Sequence, residues 1–522
     1  MRSRAKFSAP TAVNVPSRFV VAVVTLGAIM GPPGTMSGSP SDREGRSVSV
    51  PRRNVLLIVA DDLNTALGTY GNAQIKTPNI DRLAASGVRF DRAYCQYPLC
   101  GPSRASFLTG LRPDTTGVYV NRLFRGEGVP NFRTTTPGAV TLPQMFKNSG
   151  AFAARVGKLF HYNVPQDIGT DGDDDAGSWS QVVNLKGRDK FVEDKMAKIG
   201  GSVLFSWHAD ETSEPHTDEL GTSAAIRLLE EYRARPFFIA VGFFRPHWPY
   251  IAPKRFFDMY PADKIRLPTG PGLFAENVPA AAYSSSRDFA RILPMLTDPV
   301  LRENIRAYYA AVSFVDEQVG RLMEAVARLG LRENTIIVFI SDHGYHLGEH
   351  GLWQKKSLWE ASLRVPLIIA VPGTKNAGRI TRRTVELVDL YSTLADLCGL
   401  EKPRTDGRSL RPLLEDTEVA WPYPAFSQMQ IGAITNTSVP GIDGNFMGRS
   451  VRTEHWRYTQ WGNDGEHGEQ LYDMARDPGE TRNLANDPAW SNEKAQLRAM
   501  VKANVNNGDG RQERVQAQGA RR

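Results

Sequence analysis

Cys100 opens the run Cys100-Gly-Pro-Ser-Arg104, which reads as a tight turn feeding a helix. Pro102 has its φ preset for a first helical position, where a missing N–H costs nothing. Ser103 to Leu108 can continue the helix, and Gly110 is a natural stop. The thiol then lies near free backbone N–H groups at the positive end of a helix dipole. Such a place suits an anion, or a nucleophile that must hold negative charge. A cysteine beside a helix cap can also be buried and inert.

Two further stretches join a continuous apolar run to acidic residues. Asn54-Val-Leu-Leu-Ile-Val-Ala60 ends in Asp61-Asp62, and Thr335-Ile-Ile-Val-Phe-Ile340 ends in Ser341-Asp-His343. Runs of this kind fit central strands of a parallel sheet, buried on both faces. Ligand sites in such sheets lie at the carboxyl ends of the strands. Adjacent carboxylates there repel each other unless a cation lies between them. If the two strands are neighbours, Asp61, Asp62, Asp342 and His343 form an oxygen-rich site with one imidazole. That mixture suits Ca²⁺ or Mg²⁺ better than a structural Zn²⁺.

Other polar residues also follow strand-like runs. Gly157-Lys-Leu-Phe-His161 comes after Ala151 to Val156. His247 lies just past Pro236 to Gly242, in a loop stiffened by Pro246, Trp248 and Pro249. Taken alone, Lys158, His161 and His247 fit ordinary loop positions as readily as catalytic ones.

Cys100-x-Pro-Ser-Arg104 followed by Ala-Ser-Phe-Leu-Thr-Gly110 resembles the signature of the formylglycine-dependent (type I) sulfatases, in the alkaline phosphatase superfamily. Ser341-Asp-His-Gly and Gly348-Glu-His-Gly351 are similarly sulfatase-like, and Lys355 matches the family's lysine by its spacing from Asp342. Lys158-x-x-His161 and Arg245-Pro-His247 resemble the iduronate 2-sulfatase group. The resemblance covers nearly all of residues 54–485, with its elements in the family's order.

The resemblance implies that a formylglycine-generating maturation enzyme oxidises Cys100 to 3-oxoalanine (formylglycine). It implies Ca²⁺, with Mg²⁺ as the alternative, held by Asp61, Asp62, residue 100, Asp342 and His343. The aldehyde hydrates to a gem-diol, one hydroxyl attacks sulfur, and the second hydroxyl lets the covalent sulfate be expelled. Lys158 and Lys355 offset sulfate charge, His247 protonates the leaving oxygen, and His161 takes the proton of the second hydroxyl. A neighbouring sulfate is expected to favour protonated His247. Arg104 and Ser103 hold the loop. Tyr345, His346, Trp248, Arg364 and His455, with Trp359 and Trp456, are candidates for the substrate rim or for packing; His346 departs from the family pattern. The expected substrate is a sulfated glycan of the iduronate-2-sulfate kind. Alternatives are a phosphodiesterase or phosphonate hydrolase on the same fold, or a choline or aryl sulfatase. A non-catalytic glycan binder has no need of an oxidisable Cys100 among cation ligands.

The elements that must position these residues are α/β in character. The expected fold is a large, mostly parallel central sheet sandwiched by helices, followed by a small C-terminal subdomain with an antiparallel sheet and a helix. Helices are expected from Thr77 to Gly87, Leu142 to Gly150, Asp218 to Ala234, Asn304 to Gly330 and Val388 to Leu400. Gly448 to Trp461 alternates as hairpin strands do. Asp167 to Ser178 is acidic and Gly-rich but lacks the spacing of an EF-hand, and is read as a solvated loop.

A chain of 522 residues is long enough for two domains. Residues 54–420 are read as the catalytic domain, 421–506 as the C-terminal subdomain and 507–522 as a disordered basic tail. The formal charge is +7, but residues 1–53 contribute +6 and residues 507–522 contribute +2, leaving −1 for the body. The basic balance belongs to the ends and gives no ground for nucleic-acid binding. Arg2, Arg4, Lys6 and Arg18 precede the apolar run Phe19 to Met30. Residues 1–40 therefore read as a signal peptide and leader, and 41–53 as a linker, with export to the periplasm or beyond. The run is too short for stable membrane insertion. Three cysteines do not make a disulfide scaffold. With Cys100 modified, either one Cys95–Cys398 bridge or two free thiols remain.

Overall fold

β1 (Asn54–Asp61) is the strand on which the molecule is built, and Val55 to Ala60 have no solvent exposure. The computed structural model describes residues 53–121, 132–192, 194–268, 275–286, 292–432, 437–439, 442 and 444–519. The expected signal peptide and leader, and the linker up to residue 52, lie outside the described residues. Seven more strands complete the main sheet: β2 (Val88–Tyr94), β3 (Phe152–Gly157), β4 (Gln181–Val183), β5 (Phe237–Pro246), β6 (Thr335–Ser341), β7 (Arg364–Ala370) and β8 (Ile380–Glu386). Their order is β8-β2-β7-β6-β1-β5-β3-β4. β7 runs against both of its neighbours, and every other pairing is parallel.

Alternate residues of β1 feed opposite cores, as the period of a strand requires. Val55, Leu57 and Val59 pack with α2 (Cys100–Thr109), α3 (Leu142–Asn148) and α6 (Asp389–Cys398) through Phe107, Phe146 and Leu394. Leu56, Ile58 and Ala60 pack with α1 (Pro78–Ser86), α4 (Thr217–Tyr232) and α5 (Asp298–Arg328) through Leu83, Leu228 and Val312. With both faces covered, a central strand has no polar side to alternate with. This is why β1 and β6 read as unbroken apolar runs.

Two helix starts differ from expectation. α5 begins at Asp298, ahead of Asn304, because Thr297 precedes an acidic residue and Pro299 in the first turn. α2 begins at Cys100 itself, so Pro102 is third in the helix. Proline is tolerated there because the first-turn N–H groups have no intrahelical partner. Gly110 closes α2 in the left-handed region at φ 70°.

Four antiparallel strands form the C-terminal sheet in sequence order: β9 (Ala425–Ile431), β10 (Phe446–Arg452), β11 (Trp456–Trp461) and β12 (Glu469–Asp473). Leu497 and Val501 of α7 (Ser491–Gly519) pack against Val451, Tyr458 and Leu471. The core beneath α2 continues into this sheet through Met429, Trp461 and Tyr472. α7 carries helical backbone through residues 507–519, where a disordered tail was expected. Gln, Glu, Arg and Ala dominate after Gly510, and these types propagate a helix.

The acidic loop also differs from expectation. Asp173 and Asp175 are buried, and Asp174 and Asp175 pair with Arg155 and Arg133. Two of its charges are paired with arginines from other segments, so this part of the loop is tied down instead of solvated. All three cysteines are free thiols; Cys95 lies against the Ser362 carbonyl and Cys398 against the Arg53 carbonyl.

Candidate active site

β1 and β6 are adjacent and parallel, with Ala60 opposite Ser341. Their carboxyl ends therefore deliver Asp61, Asp62, Asp342 and His343 to one place. All four side chains are fully buried. Asp62 leaves the strand in the left-handed region at φ 63°, a conformation Asp tolerates better than most residues. It is held there by Tyr308 of α5, which donates to the Asp62 carbonyl at 2.9 Å, and by its own N–H, which donates to Asp342 Oδ1 at 3.2 Å.

α2 brings Cys100 into this cluster. Its Sγ lies 3.3 Å from His343 Nε2, 3.3 Å from Lys355 Nζ and 3.8 Å from Asp62 Oδ1. Arg104, one turn on, spans two strand ends. Nε donates to Asp342 Oδ2 at 2.8 Å and Nη2 to Asp61 Oδ1 at 2.9 Å. Nη1 donates to the carbonyls of Lys158 and Leu159 at 2.7 and 3.0 Å. Ser103 Oγ donates to the Asp342 carbonyl at 2.5 Å. Lys158 Nζ bonds Asp61 Oδ2 at 2.5 Å, and Lys355 Nζ bonds Asp62 Oδ1 at 2.5 Å.

Electrostatics follow from burial set against these pairs. Burial works against the Asp61 carboxylate, but Lys158 and Arg104 outweigh it and hold its pKa well below the usual range. Asp62 is less compensated: burial exceeds the pull of Lys355 and lifts its pKa to about 7. Burial and Asp61 oppose the Cys100 thiolate, yet Lys355 and Lys158 bring its pKa below that of a free thiol. Burial disfavours charge on His343, and Asp342 and Cys100 reverse that, holding its pKa at about 9. His161 and His247 go the other way. Burial and the nearby lysines push His161 down to about 3 and His247 well below a free imidazole.

Hydrogen bonds fix how the imidazoles face. His343 Nδ1 lies 2.9 Å from the Gly344 carbonyl and His247 Nδ1 lies 2.5 Å from the Trp248 carbonyl. A carbonyl can only accept, so in each neutral ring Nδ1 carries the proton and Nε2 offers a lone pair. His247 Nε2 stands 3.7 Å from Asp62 Oδ2. In His161, Nε2 faces Asn163 Oδ1 at 3.4 Å, and the buried Nδ1 has no hydrogen-bond partner among the described residues.

The donor set fits a hard divalent cation. Ligand atoms of Asp61, Asp62, Cys100 and His247 lie within 4.8 Å of one another, as do those of Cys100, Asp342 and His343. Asp62 Oδ2 is buried with no hydrogen-bond partner among the described residues, an orphaned acceptor of the kind a cation satisfies. With its Nε2 proton displaced by the cation, His343, oriented by the Nδ1 bond to the Gly344 carbonyl, would complete an oxygen-rich set.

The structure brings Cys100, Arg104, Lys158, His161, His247 and Lys355 to this edge with the expected ligands, but treats the rim candidates differently. Tyr345 is buried, stacked on Tyr308, with its hydroxyl 2.8 Å from that of Tyr250. His346 is buried with Nε2 2.8 Å from Ser357 Oγ, so it braces the Lys355 loop. Trp359 is buried, donates to the Ala282 carbonyl and stacks on His350. Arg364 pairs with Asp91, Trp456 packs on Trp490, and His455 occupies an exposed turn after β10. Trp248 stays beside the site, its ring 4.7 Å from that of His247. Sequence reading missed the supports, Tyr308 among them.

Comparison with known proteins places this geometry. A family model described as Sulfatase matches residues 53–400, and one described as N-sulphoglucosamine sulphohydrolase, C-terminal, matches residues 348–507. Iduronate 2-sulfatase of Mus musculus is 34% identical over 518 residues, covering 83% of this chain and 91% of that protein. A sulfatase of Formosa agariphila is 33% identical, covering 87% of each. A solved phosphonate monoester hydrolase of Agrobacterium radiobacter shares the fold, with a TM-score of 0.66 at 24% identity over 88% of this chain and 96% of that one.

Proposed function

The chain belongs to the sulfatase family and is a sulfuric ester hydrolase, and from that premise we propose an exported enzyme that uses formylglycine at position 100 to cleave sulfate from a sulfated glycan. The observation that carries the reading is the set of neighbours of Cys100: Lys355 at 3.3 Å, His343 at 3.3 Å and Asp62 at 3.8 Å, all of them buried. A thiol alone has no use for so many charges. An anionic ester beside a cation does.

Oxidised to formylglycine, residue 100 supplies a hydrated carbonyl whose hydroxyl is the nucleophile. Asp61, Asp62, Asp342 and His343 would hold a Ca²⁺ ion, which would offset sulfate charge and favour ionisation of that hydroxyl. The remaining roles belong to side chains of the chain itself. Lys355 and Lys158 supply fixed positive charge where the ester oxygens gain negative charge. Arg104 clamps Asp61 and Asp342, so their oxygens do not reorganise during the reaction. His247 presents Nε2 to the centre; neutral in the free protein, it gains a proton when a sulfate anion offsets the lysines that oppose its charge. It then donates that proton to the leaving oxygen. His161, held neutral with a free Nδ1, accepts a proton on release.

Iduronate 2-sulfatase among the relatives supports a uronate sulfate as substrate. Arg2 to Arg18 followed by the apolar Phe19 to Met30 supports export. Among the described residues no helix is long and apolar enough to cross a membrane. The test is mass spectrometry of the residue-100 peptide, followed by assays on defined sulfated uronate disaccharides and, in parallel, a phosphonate monoester. Turnover of the phosphonate ester in preference to every sulfate would overturn the reading and favour the chemistry of the structural relative.

A further inference from the structure

We propose that Asp189 and Arg245 are positioning residues that set the angle at which His247 meets the substrate, an inference that rests on the reading of His247 as proton donor. Arg245 is 1% exposed, and all three of its guanidinium nitrogens are engaged. Nη1 donates to the His247 carbonyl at 3.1 Å, Nε to the Ile251 carbonyl at 3.1 Å and Nη2 to Asp189 Oδ2 at 2.9 Å. The guanidinium therefore ties both ends of the loop that carries His247. Because His247 Nδ1 is bonded to the Trp248 carbonyl inside that loop, the ring follows the loop backbone.

Asp189 is the fixed point of this arrangement. Its Oδ1 accepts from Thr217 N and Thr217 Oγ1, both at 2.7 Å, which anchors it to the first turn of α4. The next residue of α4, Asp218, accepts the N–H groups of Phe244 and Arg245 at 3.0 Å each. Helix and loop are thus locked from two sides. A lysine at 245 keeps the charge but has a single nitrogen on a flexible stem, and cannot hold two carbonyls and a carboxylate together. Asp189 belongs to none of the sequence motifs that carry the chemistry, and nothing local to it signals a role.

A proton donor matters most when the leaving oxygen is poor, which gives the test its discrimination. Arg245→Lys and Asp189→Asn are measured on 4-nitrophenyl sulfate, whose leaving group needs little help, and on phenyl sulfate, whose leaving group needs more. The same changes are repeated in a His247→Gln background. The expected result is a loss of kcat of about 10–100-fold on phenyl sulfate, a smaller loss on 4-nitrophenyl sulfate, KM held, and no added loss when His247 is already replaced. Equal losses on both esters, or a full further loss in the His247→Gln background, would overturn the proposal. If His247→Gln itself leaves the difference between the esters as in wild type, the donor reading fails and takes this inference with it. If His247→Gln widens that difference and Arg245→Lys does not, the positioning claim alone is wrong. Circular dichroism and melting confirm the fold, and Arg245→Lys, which keeps charge and approximate volume, carries the test should Asp189→Asn not fold.

Discussion

Arg104 Nε and Asp342 Oδ2 pair at 2.8 Å with neither side chain exposed to solvent. The same guanidinium reaches Asp61, so one residue of the signature helix holds carboxylates from two different strands. Removing it strips the guanidinium from two buried carboxylates, and breaking a buried pair costs about 3–5 kcal/mol in comparable cases. Arg104→Ala should lower the urea midpoint and weaken cation binding together. A wild-type midpoint in Arg104→Ala would contradict this account.

Cys100→Ala should fold normally and lose all turnover. The side chain is buried but small, and the packing of α2 rests on Phe107 and Leu108. Circular dichroism with a sulfate-release assay checks both halves. Cys100→Ser should fail equally in a host whose maturation system accepts only cysteine.

Cation binding should stabilise the fold. Ligand at 100 times its Kd adds about 2.7 kcal/mol. Chelator should lower Tm, and Ca²⁺ should restore it. Asp342→Asn, which removes one carboxylate charge, should flatten that response. A Tm indifferent to chelator and to Ca²⁺ in the wild type would count against the metal site.

Stability should fall in acid partly through Glu360. Burial opposes its carboxylate, but Arg457 and Arg452 outweigh burial and bring its pKa to about 2. The unfolded value is about 4.3. The contribution is therefore complete above the unfolded value and is lost as pH falls through the folded one. Glu360→Gln should be less stable at neutral pH and show a flatter Tm profile across that window. Parallel profiles for the two proteins would argue against the pairing.

Gly101 is needed for close approach. A Cβ there would stand 2.8 Å from Asn121 Cα and 2.9 Å from the Val120 carbonyl, both backbone atoms. Gly101→Ala should destabilise by roughly 1–3 kcal/mol, as overpacking does, and lower turnover by displacing residue 100. Unchanged melting in Gly101→Ala would show that the 118–121 segment yields freely.

What could be read from the chain divides by range of interaction. Asp61, Asp62, Asp342 and His343 were legible because each follows a strand buried on both faces, and that burial writes an unbroken apolar run. Cys100, Arg104, Lys158 and Lys355 came from motif resemblance. Tyr345 and His346 sit beside those motifs yet pack inward, because the chain after β6 turns back against Ala361 and Ser362. Asp174, Asp175, Asp189 and Asp218 take partners from other segments. Such pairs leave no periodic trace, so the pairing of these acids could not be foreseen.

Asp62 and Asp342 are hydrogen-bonded yet lie 280 residues apart in sequence. Cys100 has no exposure once β6 stands beside β1. A maturation enzyme that must grip the chain around Cys100, a helix buried along its length, must therefore meet a chain in which the later strand has not yet docked. The proposed modification of residue 100 is in that sense a race. It opens when the cysteine is synthesised and closes when the second half of the sheet arrives, so variants that fold faster should emerge with less aldehyde.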